Sequence, residues 1–171
     1  LTLALAAMWA GVPYTPVSSA YSLISQDHAK LRHIVGTVTP GLVFASGPAY
    51  AKAIQAVIAD DVTVVLTAGE IEGRSTRPFD SLLATTPNAT LDAAHAQVNA
   101  DTIAKFLFTS GSTKAPKGVI NTHRMLCANQ QMLRQCMGFL ADEPPVLVDW
   151  LPWNHTFGGN HNVGITLYNG G

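Results

Sequence analysis

Short apolar runs alternate with segments of helical periodicity along this chain, and that alternation limits the fold more than any other feature. The runs with strand propensity are Leu42 to Ala45, Val62 to Leu66, Ile103 to Phe108 and Val146 to Leu151. The helical segments are Asp27 to Val38, Tyr50 to Ala59 and a shorter piece from Phe79 to Leu83. Strands that alternate with helices favour βαβ units and a mainly parallel sheet, so the predicted class is α/β.

Capping residues mark where several predicted helices begin and end. Ser25 or Asp27 can cap the first helix named above, and Pro40 ends it. Thr122 can cap a later helix, whose apolar positions are Met125, Leu126, Met132 and Leu133. The stretch from Thr85 to Thr102 is polar and is interpreted as a connection to the next strand.

The ends of the chain predict a piece of a longer protein. Residue 1 is Leu rather than Met, and it opens an apolar run, Leu1 to Ala10. We expect this run to be a truncated core helix, because it is far shorter than the roughly 20 residues that span a bilayer. A length of 171 residues suits one domain, so residues 1–171 predict one partial domain that is truncated at both ends.

Charge and cysteine content exclude several classes of protein. Ten Lys and Arg residues against eleven Asp and Glu residues leave no basic excess for a nucleic-acid backbone. Two cysteines, Cys127 and Cys136, cannot build a disulfide framework, which favours a cytoplasmic protein. Their separation of nine residues would place them on opposite faces of one helix. His155 and His161 are six residues apart, which suits no helical zinc site, so no metal ligands are predicted.

One loop has the composition of an anion-binding site. The segment from Phe108 to Gly118 reads FTSGSTKAPKG and follows a predicted buried strand. Glycines let backbone N–H groups turn toward an anion, hydroxyl groups donate hydrogen bonds, and Lys114 and Lys117 supply charge. The spacing fits neither the Walker loop nor the GxGxxG pattern. The residues alone leave two interpretations open: a phosphate-binding loop, or an exposed turn that merely contains Gly, Ser and Lys.

The same loop resembles the phosphate-binding signature of the adenylate-forming superfamily, which includes acyl-CoA synthetases, peptide-synthetase adenylation domains and luciferases. The segments GVINTHRMLCANQQM (118–132) and DWLPWNHTFGGNHNVGITLYNGG (149–171) further resemble feruloyl-CoA synthases, a branch of that superfamily. The resemblance covers essentially the whole chain. It implies that residues 1–171 are part of the large N-terminal AMP-binding domain of such an enzyme.

The resemblance implies a two-step reaction. A carboxylate and MgATP give an acyl-adenylate and pyrophosphate, and coenzyme A then displaces AMP to give a thioester. The implied substrate is a small carboxylic acid, an aromatic hydroxycinnamate such as ferulate, while a medium-chain or another aryl acid stays open. The family's acidic Mg²⁺ motif, ribose-binding Asp and adenylation Lys have no counterpart in these residues, so we expect the 171-residue chain alone to be inactive.

The resemblance also implies site residues. The residues that would hold the ATP phosphates are Thr109, Ser110, Gly111, Ser112, Thr113, Lys114, Lys117 and Gly118. Lys114 stands where the family pattern has Gly; it either adds a phosphate contact or is an exposed lysine of the loop. His155, the implied catalytic residue, would lie between the nucleotide and the acyl pocket, where its imidazole can orient the substrate carboxylate or stack against a flat ring and need not act as a base.

Some interpretations stay open on the sequence alone. His123 and Arg124 can be ATP contacts or merely open a helix, and Trp9 and Trp153 can belong to a core or to a pocket. Two further functions compete with the ligase: a nucleotide-binding module without catalysis, and a structural protein with a Gly/Ser loop. The oligomeric state leaves no trace in the sequence, and no membrane partner is expected.

Overall fold

In the computed structural model, residues 1–109 and 115–171 are described. The helices in these residues are α1 (Thr2–Trp9), α2 (Ala20–Leu23), α3 (Ala29–Val38), α4 (Ala51–Val57), α5 (Phe79–Leu83), α6 (Ala89–His95), α7 (His123–Cys136) and α8 (Val163–Tyr168). The strands are β1 (Leu42–Ala45), β2 (Thr63–Leu66), β3 (Thr76–Pro78), β4 (Ile103–Thr109) and β5 (Lys117–Thr122). The α/β class is confirmed. Within the described residues, every helix is too short or too polar to cross a membrane.

Two compact units make up the chain. One contains Leu1–Pro16, Ala89–Thr109 and Lys117–Gly171, and the other is built mainly from Val17–Asn88. In the second unit, strands β1, β2 and β3 form a parallel sheet in that order, with Leu42 opposite Thr63 and Val64 opposite Thr76. Its buried core is the set Ala45, Ile54, Ile58, Val64, Leu66 and Ile71.

The predicted βαβ pattern explains this sheet. Apolar residues of β2 are almost fully buried because a parallel strand is covered on both faces. The predicted cap of α3 needs correction: the N-cap residue is His28, with a φ of 51°, and its side chain makes no cap hydrogen bond. Asp27 and Ser25 lie just before it, where Asp27 Oδ1 accepts a hydrogen bond from the Ala29 amide at 3.0 Å and Ser25 Oγ accepts one from the His28 amide at 3.1 Å. Thr39 follows the helix with a φ of 42°, in the left-handed region, and the chain then turns into β1.

The other unit contains an antiparallel pair that the sequence did not predict. Strand β4, which was predicted, pairs with β5, which was not. On its other side β4 carries a parallel bridge between Lys105 and Tyr14. The Tyr14 amide donates to the Ala104 carbonyl at 3.2 Å, and the Phe106 amide donates to the Tyr14 carbonyl at 3.0 Å. Segment 1–16 is therefore held against β4 by backbone hydrogen bonds.

Three further expectations need correction. The strand predicted at Val146 to Leu151 is absent: Val146 and Val148 are 94% and 100% exposed, since no described strand pairs with this segment. The polar stretch predicted to be a connection contains α6. Helix α1 forms as predicted but buries none of its residues, so it is not a core helix within the described residues.

Candidate functional site

The mouth of the predicted phosphate loop lies at the end of the β4–β5 pair. Thr109 is the last residue of β4, Lys117 is the first residue of β5, and the two are cross-strand partners. Both side chains are exposed. The predicted phosphate contacts that lie outside the described residues are Ser110, Gly111, Ser112, Thr113 and Lys114. The structure thus places two predicted site residues, a hydroxyl and a cation, side by side at the base of the loop.

Gly118 has a packing role at this mouth. It lies opposite Phe108, and a Cβ at position 118 would lie 3.2 Å from Cζ of the Phe108 ring. Such a contact is tighter than a side chain normally makes, so the absence of a side chain lets the aromatic ring lie close to the strand. The predicted phosphate contact at Gly118 stays a prediction.

A histidine that the sequence analysis missed holds the last residue before β5. The Nε2 of His33, on helix α3, donates a hydrogen bond to the carbonyl oxygen of Pro116 at 2.9 Å. Pro116 is buried, and its carbonyl cannot donate, so the imidazole must carry a proton on Nε2 in this contact. Because the two residues are 83 positions apart, no local pattern could reveal the pair.

His155 lies in a turn that fixes which ring nitrogen can act. Its amide donates to the Pro152 carbonyl at 3.0 Å, and its Nδ1 accepts a hydrogen bond from the Phe157 amide at 3.3 Å. With Nδ1 used as an acceptor, the neutral imidazole carries its proton on Nε2. The side chain is exposed. The arrangement leaves an N–H donor that suits a carboxylate oxygen.

The segment after His155 is a π-helix, Phe157–Asn162, and three buried polar side chains hold it. Lys105 Nζ donates to the Gly159 carbonyl at 2.9 Å. Gln130 Nε2 donates to the Asn160 carbonyl at 2.9 Å, and Asn160 Nδ2 donates to Asn121 Oδ1 at 2.8 Å. Lys105, Asn121 and Gln130 come from β4, β5 and α7, so three elements converge on two residues.

Burial lowers the pKa of Lys105 to about 8, because a buried ammonium loses its hydration. Lys105 was not among the predicted site residues. A lysine inside an apolar strand, between Ala104 and Phe106, was the signal that could have revealed it. Asn121 and Gln130 offered no comparable signal.

A cavity of about 330 Å³ lies beside the π-helix. Its lining residues are Asn121, Met125, Leu126, Asn129, Thr156, Phe157, Asn160 and His161. The rings of Phe157 and His161 are stacked, with centroids 4.6 Å apart and planes at 20°. This half-open wall combines an aromatic pair and apolar side chains with a few amide and hydroxyl groups.

The contacts of Arg124 and Trp9 favour structural roles for these two residues. Arg124 forms a bidentate ion pair with Asp101, at 2.9 and 3.1 Å, and is engaged without any ligand. The Trp9 ring stacks on the His95 ring at 3.8 Å. Cys127 and Cys136 are exposed, free and on the same helix, α7. Among residues 1–109 and 115–171, no group of three acidic, His or Cys side chains could hold a metal ion.

Two ligases are similar to parts of this chain. The medium-chain-fatty-acid acyl-carrier-protein ligase TtuA of Teredinibacter turnerae is 43% identical over 70 residues, which are 41% of this chain and 11% of that ligase. A 7a-methyl-1,5-dioxo-octahydro-1H-indenyl propanoyl:CoA ligase of Rhodococcus jostii is 31% identical over 112 residues, which are 64% of this chain and 21% of that ligase.

A solved structure matches nearly the whole chain. ATP-bound MatB from Rhodopseudomonas palustris has a TM-score of 0.68 and 28% identity, and the match covers 99% of this chain and 31% of MatB. The chain therefore spans less than a third of this neighbour and about a fifth or less of the two curated relatives. The model of the AMP-binding enzyme family matches residues 1–171. This chain belongs to the AMP-binding enzyme family.

Proposed function

We propose that this chain is part of an ATP-dependent acid–thiol ligase, which joins a carboxylic acid to AMP and then transfers the acyl group to coenzyme A. The observation that carries the proposal is the pairing of Thr109 with Lys117 at the base of a loop of Gly, Ser and Thr residues, in a chain of the AMP-binding enzyme family. Because the chain spans a fraction of its relatives, the proposal concerns the longer protein.

Lys117 and Thr109 act on the leaving pyrophosphate in this proposal. Negative charge accumulates on the phosphate oxygens as the bond to the departing pyrophosphate breaks, and a fixed cation and hydroxyl donor stabilise that charge. Both side chains are exposed in the described structure, so both are available to a polyanion. Lys114 is proposed to add a second cation, and Ser110, Gly111, Ser112 and Thr113 to supply further donors.

His155 orients the carboxylate rather than removing a proton from it. A carboxylic acid is already ionised at neutral pH, so the first step needs no base. The proton on Nε2 can instead donate a hydrogen bond to one carboxylate oxygen and aim the other at the α-phosphorus. The hydrogen bond from Phe157 to Nδ1 supports this role because it selects the tautomer.

The proposed substrate is an aromatic acid of the hydroxycinnamate type, such as ferulate. The cavity beside the His155 segment supports a flat ring, since Phe157 and His161 present stacked rings and Asn121, Asn129 and Thr156 offer polar groups to phenolic oxygens. A medium-chain acid is the competing substrate, because Met125 and Leu126 line the same cavity. Direct comparison of an aromatic and an aliphatic acid as substrates separates the two.

Mg²⁺ and coenzyme A belong to the proposal for the longer protein. The described residues supply no cluster of acidic ligands for a metal, and the Mg²⁺ ligands are proposed to lie elsewhere in the longer protein. Coenzyme A would accept the acyl group in the second step. The cytoplasmic location and the inactivity of the isolated 171 residues stay predictions.

The test is pyrophosphate release by the full-length protein with ATP and a panel of acids that includes ferulate, cinnamate and octanoate. We expect release only when an acid is present, a CoA thioester when coenzyme A is added, and a higher kcat/KM for ferulate than for octanoate. A higher kcat/KM for octanoate would show that the substrate is an aliphatic acid and not an aromatic one. ATP binding without pyrophosphate release for any acid would overturn the proposed ligase activity and support a nucleotide-binding module without catalysis.

A further inference from the structure

Lys105 is a buried cation without a counter-charge. It is 2% exposed and lies between Ala104 and Phe106, in a strand whose other residues are apolar up to Phe108. Within residues 1–109 and 115–171, no carboxylate oxygen lies within 4.0 Å of its ammonium. Its contacts are a hydrogen bond to the Gly159 carbonyl and the face of the Tyr14 ring, whose centroid lies 5.7 Å from Nζ. Burial of an ammonium with so few partners is unfavourable, so a stability role alone does not explain this residue.

Gly159 connects Lys105 directly to His155. The Gly159 carbonyl accepts the hydrogen bond from Lys105 at 2.9 Å, and the Gly159 amide donates to the His155 carbonyl at 2.8 Å. A side chain at position 159 is excluded, because its Cβ would overlap the carbonyl oxygen of Trp153. The lysine therefore reaches the backbone of the His155 turn through one residue that packs tightly.

Uncharged side chains already hold the neighbouring residue. Gln130 and Asn121 bind the backbone and the side chain of Asn160, respectively. The π-helix is thus anchored without a cation. What Lys105 adds is a fixed link between the His155 turn and β4, the strand that ends four residues later at Thr109.

We propose that Lys105 is a positioning residue for acid activation, which acts through Gly159 to hold His155 in a fixed place relative to the strand that ends at the phosphate loop. This inference rests on the function proposed above. In this proposal Lys105 does not itself contact a substrate. The acid would be aimed correctly because two parts of the site, β4 and the His155 turn, are joined by a charge-assisted hydrogen bond.

The test uses the full-length protein and three variants. Lys105→Met removes the ammonium while keeping an apolar stem of similar length. Lys105→Arg keeps a cationic donor. Lys30→Met is the matched control, because Lys30 Nζ also lies over a tyrosine ring, 5.3 Å from the Tyr21 centroid, but on an exposed residue of the other unit.

For Lys105→Met we expect the KM for the acid to rise and kcat to fall, each by about tenfold, because a displaced orienting group misaligns the reactants. The dissociation constant for ATP should stay at the wild-type value, and the melting temperature should not fall, because the variant loses a buried charge whose desolvation is unfavourable. Hydrogen exchange should become faster in the peptide that covers residues 153–163, and Lys105→Arg should recover part of the lost acid affinity. Lys30→Met should match the wild type in every measurement.

Two results would overturn the inference while the wild type remains active. One is a Lys105→Met variant with unchanged kinetics. The other is a variant that loses folded protein and affinity for both substrates together, which is the behaviour of a structural residue. A wild-type protein that releases no pyrophosphate with any acid would instead overturn the proposed function, and the positioning role would fall with it.

Discussion

Thr109 and Lys117 are cross-strand partners on the last rung of the β4–β5 ladder. The seven residues between them consequently begin and end at neighbouring points of one antiparallel pair. A hydroxyl group and an ammonium group are thereby placed at one edge, although the chain between them is long enough to surround an anion. Such an arrangement depends on pairing between strands and needs no contact between the two side chains.

Removal of the ammonium at this edge should weaken nucleotide binding. For Lys117→Ala we expect a loss of about 10- to 100-fold in ATP affinity, since a charge-assisted hydrogen bond contributes about 1.5–3 kcal/mol. Titration calorimetry of the full-length protein with MgATP measures the change. Lys52→Ala, at an exposed lysine of α4, is the control and should bind normally. Unchanged affinity in Lys117→Ala would favour a structural Gly/Ser loop.

Substitution of His155 should affect the acid more than the nucleotide. Loss of the Nε2 donor in His155→Ala removes one hydrogen bond to the carboxylate, so the KM for the acid should rise about tenfold while ATP affinity holds. His155→Asn keeps an N–H donor and should lie between the wild type and His155→Ala. Initial rates of pyrophosphate release at varied acid give these constants. Equal kinetics in all three proteins would exclude the orienting role.

Lys105 should make stability depend on pH. Burial lowers its pKa from 10.5 to about 8, so between these values the unfolded chain binds more protons than the folded chain. The free energy of unfolding should therefore rise as the pH increases from about 8 toward 10.5, and this contribution should be absent below that window. Denaturant titrations at several pH values, with Lys105→Met as the variant that lacks the rise, measure it. Parallel curves for the two proteins would show that Lys105 titrates normally.

The cap of α7 gives a prediction about stability alone. Thr122 Oγ1 accepts a hydrogen bond from the Met125 amide at 3.3 Å. Thr122→Ala should lower the free energy of unfolding by about 1 kcal/mol, whereas Thr122→Ser keeps the acceptor and should cost much less. Urea denaturation distinguishes the two variants. Identical losses for Ala and Ser would mean that the methyl group, and not the cap, is important.

Two glycines should respond in opposite directions to alanine. At Gly158 a Cβ would lie 2.7 Å from the Pro152 carbonyl oxygen and 2.9 Å from that of Leu151, so Gly158→Ala should destabilise the fold by about 1–3 kcal/mol. At Gly36, in the interior of α3, no atom lies within 4 Å of a new Cβ, and Gly36→Ala should stabilise it by about 0.5–1 kcal/mol. Thermal unfolding of both variants tests the pair, and a stabilised Gly158→Ala would contradict the packing.

The predictable part of the fold is the part whose elements are defined by local pattern. Leu42–Ala45 was predicted with its observed bounds because it is a short apolar run that follows Pro40 and Gly41, and the helix before it was predicted to within two residues because its apolar residues, such as the buried Leu31 and Ile34, recur at helical spacing. Strand β5 was missed since its outer residues, including Val119 and Ile120, are exposed and its conformation depends on pairing with β4. The segment from Val146 to Leu151 shows the converse. It has strand propensity, but it forms no strand because no strand among the described residues pairs with it.

The candidate site divides in the same way. The loop residues and His155 stand in contiguous motifs, so the sequence could single them out. The groups that hold them come from distant positions: His33 binds Pro116 across 83 residues, and Lys105 binds Gly159 across 54. Such support depends on the tertiary structure, and a single sequence contains no pattern that reports it apart from the unusual charge in β4.

The bridge between Tyr14 and Lys105 also has a consequence for biosynthesis, because these residues are 91 positions apart in the chain. The ribosome adds Tyr14 well before the Ala104 carbonyl that accepts its amide. All three strands of the parallel sheet, from Leu42 to Pro78, are complete before that point. The sheet can therefore form during translation, whereas the first sixteen residues stay without their partner strand until β4 has emerged.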